Sequence, residues 1–268
     1  MNAVVFDLDD TLLHDDLTIS DFSVRVFRRL HDKGFAVIAA SGRAQLSMKP
    51  YIQQLGCVTA YISCNGAEIW VGSSHRLIHR ELFSAETAVK IARFAESHSC
   101  YAQVYDGDSF FFNRYDIYAE RYAAATKLKG VYAGKLSEFI HEPRNKILMM
   151  ADETKIAAMY AEAKQLFSKW ASVTCSKPVY LEFNPLNATK GKALIFLSSH
   201  LGIPTAKMIA FGDSLNDLSM LQTAGLAVTV SNGWKEIRPY CDDICLSNEQ
   251  DGPARYLNEH FLNTEVSL

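Results

Sequence analysis

Two pairs of aspartates, each at the end of a short apolar run, carry the chain's clearest capacity for chemistry. Asp7 and Asp9 follow Ala3-Val4-Val5-Phe6, and Asp213 and Asp217 follow Met208-Ile209-Ala210-Phe211-Gly212. An unbroken apolar run of this length reads as a strand buried on both faces of a parallel sheet. Open α/β sheets place their ligands just beyond the carboxyl ends of such strands. Carboxylates crowded there repel one another, and a hard divalent cation that takes oxygen ligands is their natural partner. An isolated D-x-D is equally the mark of a solvated acidic turn; the strand before Asp7 and Thr11 after it favour a site.

Two further stretches suit an anion. Phe35 to Ala40 reads as a second buried strand, ending at Ser41-Gly42-Arg43. A right-handed strand–helix–strand crossover sets Ser41 beside the Asp7 loop. A hydroxyl with free backbone N–H groups at the mouth of a helix holds an anion, although the residues alone equally allow a plain N-cap serine. Arg43 reads as the partner of a surface carboxylate and is left outside the anion site. Lys190 opens a helix that runs to His200 and stops at Gly202. A cation at a helix N-terminus opposes the helix dipole, which is the conflict an anion-binding lysine would present.

The elements that must position these groups follow from the pattern between them. Ser20 caps a first helix that ends at Gly34. Ala60 to Cys64 reads as a third strand running into the turn Asn65-Gly66, and Ala67 to Val71 alternates into a hairpin turn at Gly72 to His75. From Ser84 the texture changes. Residues 85–98 read as a helix, Tyr101 to Tyr105 and Ser109 to Phe112 as strands joined by Asp106-Gly107-Asp108, and Lys146 to Met150 as another strand. Ile156, Met159, Tyr160, Ala163, Leu166, Phe167 and Trp170 form an amphipathic face, with strands Val173 to Cys175 and Tyr180 to Phe183 beyond it. Mixed helices and antiparallel strands predict an α+β module. The expected organisation is a Rossmann-like, doubly wound parallel sheet from residues 1–82 and 186–268, interrupted by an inserted α+β cap at 83–185. The tail beyond Leu262 is expected to fray.

The 268 residues, 49% of them hydrophobic, suffice for a real core. A formal net charge of −3 without a basic stripe excludes nucleic acid as the main partner. No apolar run approaches a membrane span, and the N-terminus enters a strand without a leader pattern. The six cysteines lack zinc spacing, so buried thiols in a reducing, cytoplasmic setting are expected.

The motifs taken together resemble the haloacid dehalogenase-like superfamily, Cof-type branch. Asp7-Leu8-Asp9-Asp10-Thr11 resembles its first motif, with Asp10 where glycine is usual. Ser41-Gly42-Arg43 resembles the second, with Ser for Thr, and Lys190-Gly191 with Ala193-Leu194 the third. Gly212-Asp213 to Asn216-Asp217 resembles the fourth, and Asn65-Gly66 the branch's N-G-A element. The resemblance implies a phosphatase acting on a small phosphorylated metabolite, sugar phosphates being the default. Asp7 would be nucleophile and Mg²⁺ ligand, and Asp9 the general acid and base whose backbone carbonyl also binds the metal. Asp213 would be the second carboxylate ligand and Asp217 an outer residue orienting metal-bound water. Ser41, Gly42, Lys190 and Asn216 would hold the phosphate. A hexose-phosphate mutase of the same superfamily shares these motifs, and a non-catalytic metabolite-binding regulator is the alternative from another class. A dehalogenase has no use for Asp9. The aromatics Tyr105, Phe110, Tyr115 and Tyr118 are expected in cap loops that choose the substrate.

Overall fold

The computed structural model of the chain describes residues 1–72, 74–106 and 109–262. In chain order, β1 (Ala3–Phe6), α1 (Asp21–Asp32), β2 (Ala36–Ala40), α2 (Gln45–Leu55), β3 (Ala60–Ser63), β4 (Glu68–Val71) and β5 (Arg76–Arg80) come first. Then follow α3 (Ala85–Ser97), β6 (Tyr101–Asp106), β7 (Ser109–Phe112), α4 (Ile117–Thr126), β8 (Lys129–Tyr132), α5 (Leu136–Phe139), β9 (Ile147–Met150), α6 (Glu153–Phe167), β10 (Ala171–Thr174) and β11 (Tyr180–Pro185). The chain ends with α7 (Lys190–Leu201), β12 (Met208–Gly212), α8 (Leu218–Leu221), β13 (Leu226–Val230), β14 (Asp243–Cys245) and α9 (Gly252–Leu257).

Among the described residues the strands form two sheets. The first has the order β14-β13-β12-β1-β2-β3-β4-β5. It is parallel from β14 to β3 and antiparallel from β3 to β5. Alternate residues of β1 serve opposite faces, as the strand pleat requires. Val4 and Phe6 pack with Phe27 and Leu30 of α1, Met48 of α2 and Leu257 of α9, while Ala3 and Val5 pack with Leu194 and Leu197 of α7. Helices on both faces make this a doubly wound α/β sheet. The strand order reverses between β1 and β12, where crossovers diverge and leave a crevice at the carboxyl ends.

The second sheet has the order β10-β11-β9-β6-β7-β8 and lies between β5 and α7 in the chain. One face is apolar: Val104, Ile147, Met149, Leu181 and Phe183 pack under α3 and α6. The other carries Tyr101, Tyr105, Phe110, Leu148 and Met150, which share a cluster with Ala44, Cys64, Ala67 and Ala188 from around the first sheet. Its remaining residues include the buried Gln103, Glu182 and Asn184.

Several expectations change here. The helix α6 ends at Phe167, and Leu166 and Trp170 are about half exposed, so the amphipathic face is Ile156, Met159, Ala163 and Phe167. The helix α4, the strand β8 and the short helix α5 carry little periodicity and had no counterpart in the sequence reading. Ser41 is not a helix cap, because α2 begins at Gln45 behind Ala44. The hairpin-turn residues Ser73, Gly107 and Asp108, and the tail beyond Leu262, lie outside the described residues. Among those described, no helix is long and apolar enough to cross a membrane, and the six cysteines are free.

Gly66, in the turn between β3 and β4, packs against the entry of α7. Its φ is +107°, and a Cβ there would sit 2.4 Å from the Thr189 carbonyl oxygen. Thr189 caps α7 by accepting from the Lys192 N–H. Gly66→Ala combines an unfavourable backbone with a clash against backbone atoms, and is expected to lower stability by about 2–4 kcal/mol in urea unfolding.

Candidate functional site

The carboxyl ends of β1 and β12 lie side by side, with Phe6 paired to Phe211. Beyond β1, Asp7 still donates its backbone N–H to the Phe211 carbonyl (3.0 Å). The chain then turns, with Asp9 extended and Asp10 left-handed at φ +57°. That turn buries Leu8 and brings the Thr11 hydroxyl 2.9 Å from Asp213 Oδ1. Beyond β12, Asp217 folds back so that its Oδ2 accepts the N–H groups of Asp213 (3.0 Å) and Ser214 (3.2 Å). The fold-back requires glycine at 212, where a Cβ would lie 2.5 Å from Asp217 Cβ.

Lys190, at the first turn of α7, has no exposure, and its ammonium lies 2.7 Å from Asp7 Oδ1 and 2.6 Å from Asp217 Oδ1. One oxygen of each of Asp7, Asp213 and Asp217 lies within 4.8 Å of the others. Three buried carboxylates thus cluster around a single ammonium that pairs with two of them, Asp7 and Asp217. Burial, with Asp217 and Asp9 nearby, pushes the Asp7 carboxyl up to about 8 against the pull of Lys190. Burial, with Asp217, Asp7 and Asp10, raises Asp213 well above the carboxylate range. The Lys190 ammonium, opposed by its burial, is held charged by Asp217 and Asp7. The excess negative charge and all-oxygen donor set fit a hard divalent cation. Asp7 and Asp213 line the cleft, whereas both Asp217 oxygens are engaged by Lys190 and the Asp213 and Ser214 N–H groups. Positive charge added beside Asp7, beyond that of Lys190, would favour its ionised form.

Ser41, Gly42 and Asn216 line the same cleft as Asp7, Asp9 and Asp213. Lys190 and Asp217 stand behind Asp7 and do not line it. Ser41 Oγ accepts the Arg43 N–H (3.1 Å), closing a local turn. Asn216 donates to Asn65 Oδ1 (3.1 Å) and accepts from Ser214 (2.7 Å). Arg43 departs from its expected surface pairing. It is buried, and its Nη2 and Nε grip the two oxygens of Asp9 at 2.7 and 2.8 Å. It also donates to Ser47 and to the Ala125 carbonyl at the end of α4. Burial raises the Asp9 carboxyl, but the Arg43 charge and hydrogen bonds outweigh it and hold Asp9 below the usual range.

The segment between β5 and α7 lines the cleft with residues the sequence reading did not select: Tyr122 of α4, Lys146 just before β9, Lys177 from the loop before β11, and Tyr180 and Glu182 of β11. Tyr105 and Phe110 are buried in the strands read for them and not in substrate-choosing loops, and Tyr115 is three-quarters exposed. The alternation Tyr180, Glu182, Asn184 along β11 was the available signal, since polar residues at every second position of an apolar strand mark a face that meets something polar.

Residues 4–257 match the family model described as haloacid dehalogenase-like hydrolase. The chain is 29% identical over 272 residues to the 5-amino-6-(5-phospho-D-ribitylamino)uracil phosphatase YitU of Bacillus subtilis, covering 96% of this chain and 97% of that one. It is 26% identical to the HMP-PP phosphatase of Serratia proteamaculans, over 97% of this chain and 94% of that protein. A haloacid dehalogenase-like hydrolase from Bacteroides thetaiotaomicron superposes with a TM-score of 0.85 at 26% identity, covering 97% and 99% of the two chains.

Replacing Lys190 by Met removes the ammonium between Asp7 and Asp217 and strands buried carboxylates. Urea unfolding in chelator is expected to show a loss of about 3–5 kcal/mol. A loss within 0.5 kcal/mol, the range of an ordinary surface change, would remove Lys190 from this electrostatic role.

Proposed function

Because the chain belongs to the haloacid dehalogenase-like hydrolase family and is a phosphatase, we propose that it hydrolyses small phosphorylated metabolites, sugar phosphates foremost, through an aspartyl phosphate on Asp7 with Mg²⁺ as cofactor. The observation that carries this reading is the clustering of Asp7, Asp213 and Asp217 at the β1–β12 crevice, with Lys190 between Asp7 and Asp217 and Ser41 and Asn216 lining the same cleft as Asp7 and Asp213. Asp7, Asp213 and the backbone carbonyl of Asp9 are the groups proposed to hold the ion. When bound, Mg²⁺ supplies charge neutralisation that keeps Asp7 ionised and offsets repulsion between two anions.

In the first step an Asp7 oxygen attacks phosphorus and the bond to the leaving oxygen breaks. Asp9 donates its proton to that oxygen. In the second step Asp9 takes a proton from water, whose oxygen attacks phosphorus as the bond to Asp7 breaks. Inorganic phosphate leaves, and Asp7 is a carboxylate again. Asp9 must return to its starting state each turnover, which is why one residue serves as acid and then base. Its grip by Arg43 favours the carboxylate, so that pair has to open as substrate enters. Ser41, the Gly42 N–H and Asn216 are the proposed holders of the phosphoryl oxygens. The third N–H of Lys190, whose other two serve Asp7 and Asp217, is left for an oxygen on phosphorylated Asp7. Asp217, whose oxygens hold Lys190 and the N–H groups of Asp213 and Ser214, would act on the ion from the outer shell by fixing those groups in place.

Residues 83–185 are proposed as a cap over a core of 1–82 and 186–268, closing the site against water and choosing the leaving group through side chains such as Lys177 and Tyr180. The likeness to phosphatases of a phosphoribityl compound and of HMP-PP supports a small metabolite as substrate. Free thiols fit a cytoplasmic setting.

Phosphate release from a metabolite panel is expected to require Mg²⁺, to stop with chelator, and to be inhibited by Ca²⁺, whose larger and less regular shell misplaces the nucleophile. Full turnover in metal-free buffer contradicts this. Asp9→Asn is expected to lose about 10²–10⁴-fold more with a sugar phosphate than with nitrophenyl phosphate in single-turnover phosphorylation, because only the alkoxide needs a proton to leave. Equal losses on both would leave Asp9 without the acid role.

A further inference from the structure

Glu182 is a buried carboxylate, 2% exposed, on the polar face of β11 and outside the four motifs. One of its oxygens lies 2.6 Å from the Lys146 ammonium, and the other accepts from Asn65 Nδ2 at 2.5 Å. Each of these two partners leads directly to a loop at the phosphate end of the cleft. Lys146, also 2% exposed, donates to the Gly42 carbonyl at 2.7 Å. Asn65 accepts from Asn216 at 3.1 Å through the oxygen of the same amide whose nitrogen faces Glu182. An amide presents donor and acceptor on opposite sides, so an acceptor fixed at its nitrogen settles which way the oxygen points. Asn184, two residues along, accepts from the same Asn65 nitrogen at 3.0 Å and donates to the Cys64 carbonyl at 2.8 Å.

We propose that Glu182 is a positioning residue for phosphoryl transfer, aligning Asn216 through Asn65 and the Ser41–Gly42 loop through Lys146. The inference rests on the phosphatase reading above. Two phosphate-holding loops, from β2 and β12, are held in register by one carboxylate carried on the opposite sheet. Burial makes the arrangement specific. A buried amide or ammonium without its partner is costly, so the network has one satisfied state and little freedom to drift.

The test uses the full chain with Mg²⁺ and nitrophenyl phosphate, and reads kcat, KM and the affinity for orthovanadate by calorimetry. E182Q keeps the volume of the side chain but places an NH₂ where an acceptor stood, so Asn65 or Lys146 loses its partner. Asn65→Gly breaks the relay while leaving the Glu182–Lys146 pair whole, and glycine suits the φ of +57° found at 65. Each variant is expected to lower kcat and vanadate affinity by about 10–100-fold with KM little changed, the signature of an interaction that counts in the transition state. Asn65→Gly combined with Asn216→Ala is expected to lose no more than Asn216→Ala alone. Unchanged kcat in both single variants, multiplying losses in the double variant, or a KM rise at constant kcat would overturn the proposal. If E182Q does not fold, the Asn65→Gly series decides. A wild-type chain that releases no phosphate with Mg²⁺ overturns the phosphatase reading itself, whereas an active wild type with multiplying losses overturns only the role of Glu182.

Discussion

The geometry of the site depends on one buried ammonium. Lys190 lies between Asp7 and Asp217 with no access to water. A lysine so placed is tolerable only because two carboxylates meet it, and those carboxylates are tolerable only because it is there. The mutual requirement ties three distant pieces of chain, the exit of β1, the start of α7 and the loop after β12, to one point at the switch in strand order. Asp213 hangs from the same arrangement, through its own N–H on Asp217 and through Thr11. One cation does not balance the cluster, and the residual charge is what makes the crevice suited to a divalent ion.

The rest of the molecule serves that point by shape. Parallel strands flanked by helices on both faces leave a crevice at β1 and β12, and glycine at 212 allows Asp217 to fold back into it. The second sheet meets the first with a face that is neither apolar nor solvated. Its aromatics pack with the first sheet's surroundings, while Lys146, Glu182 and Asn184 reach polar groups on the loops below. Buried polar contacts between two sheets give little net stability over an apolar interface, but they admit few alternative alignments. An enzyme that must place a phosphoryl group accurately benefits from that selectivity. The Arg43–Asp9 pair extends the same logic, since Arg43 spans from the Asp9 loop to the end of α4.

What the sequence determined by itself was local. Apolar runs ending in carboxylates located β1 and β12, and the capping serine and stop glycines bounded the helices. The order of the elements was enough for the α/β class, because periodicity and turn chemistry act over a few residues. Asp7, Asp213, Ser41 and Asn216 were legible because each sits at the end of a strand or beside one. The partners were a different matter. That Arg43 grips Asp9, that Lys190 faces Asp217 as well as Asp7, and that Glu182 reaches Asn65 depend on contacts spanning 34, 27 and 117 positions. Only tertiary structure brings such groups into hydrogen-bond reach. The state of Asp7 shows the same division. A lone aspartate is ionised at neutral pH, and burial among other carboxylates is what pushes this one up to about 8. Residue type set the chemistry available, and burial in the folded chain shifted the proton equilibrium of the carboxyl that carries it.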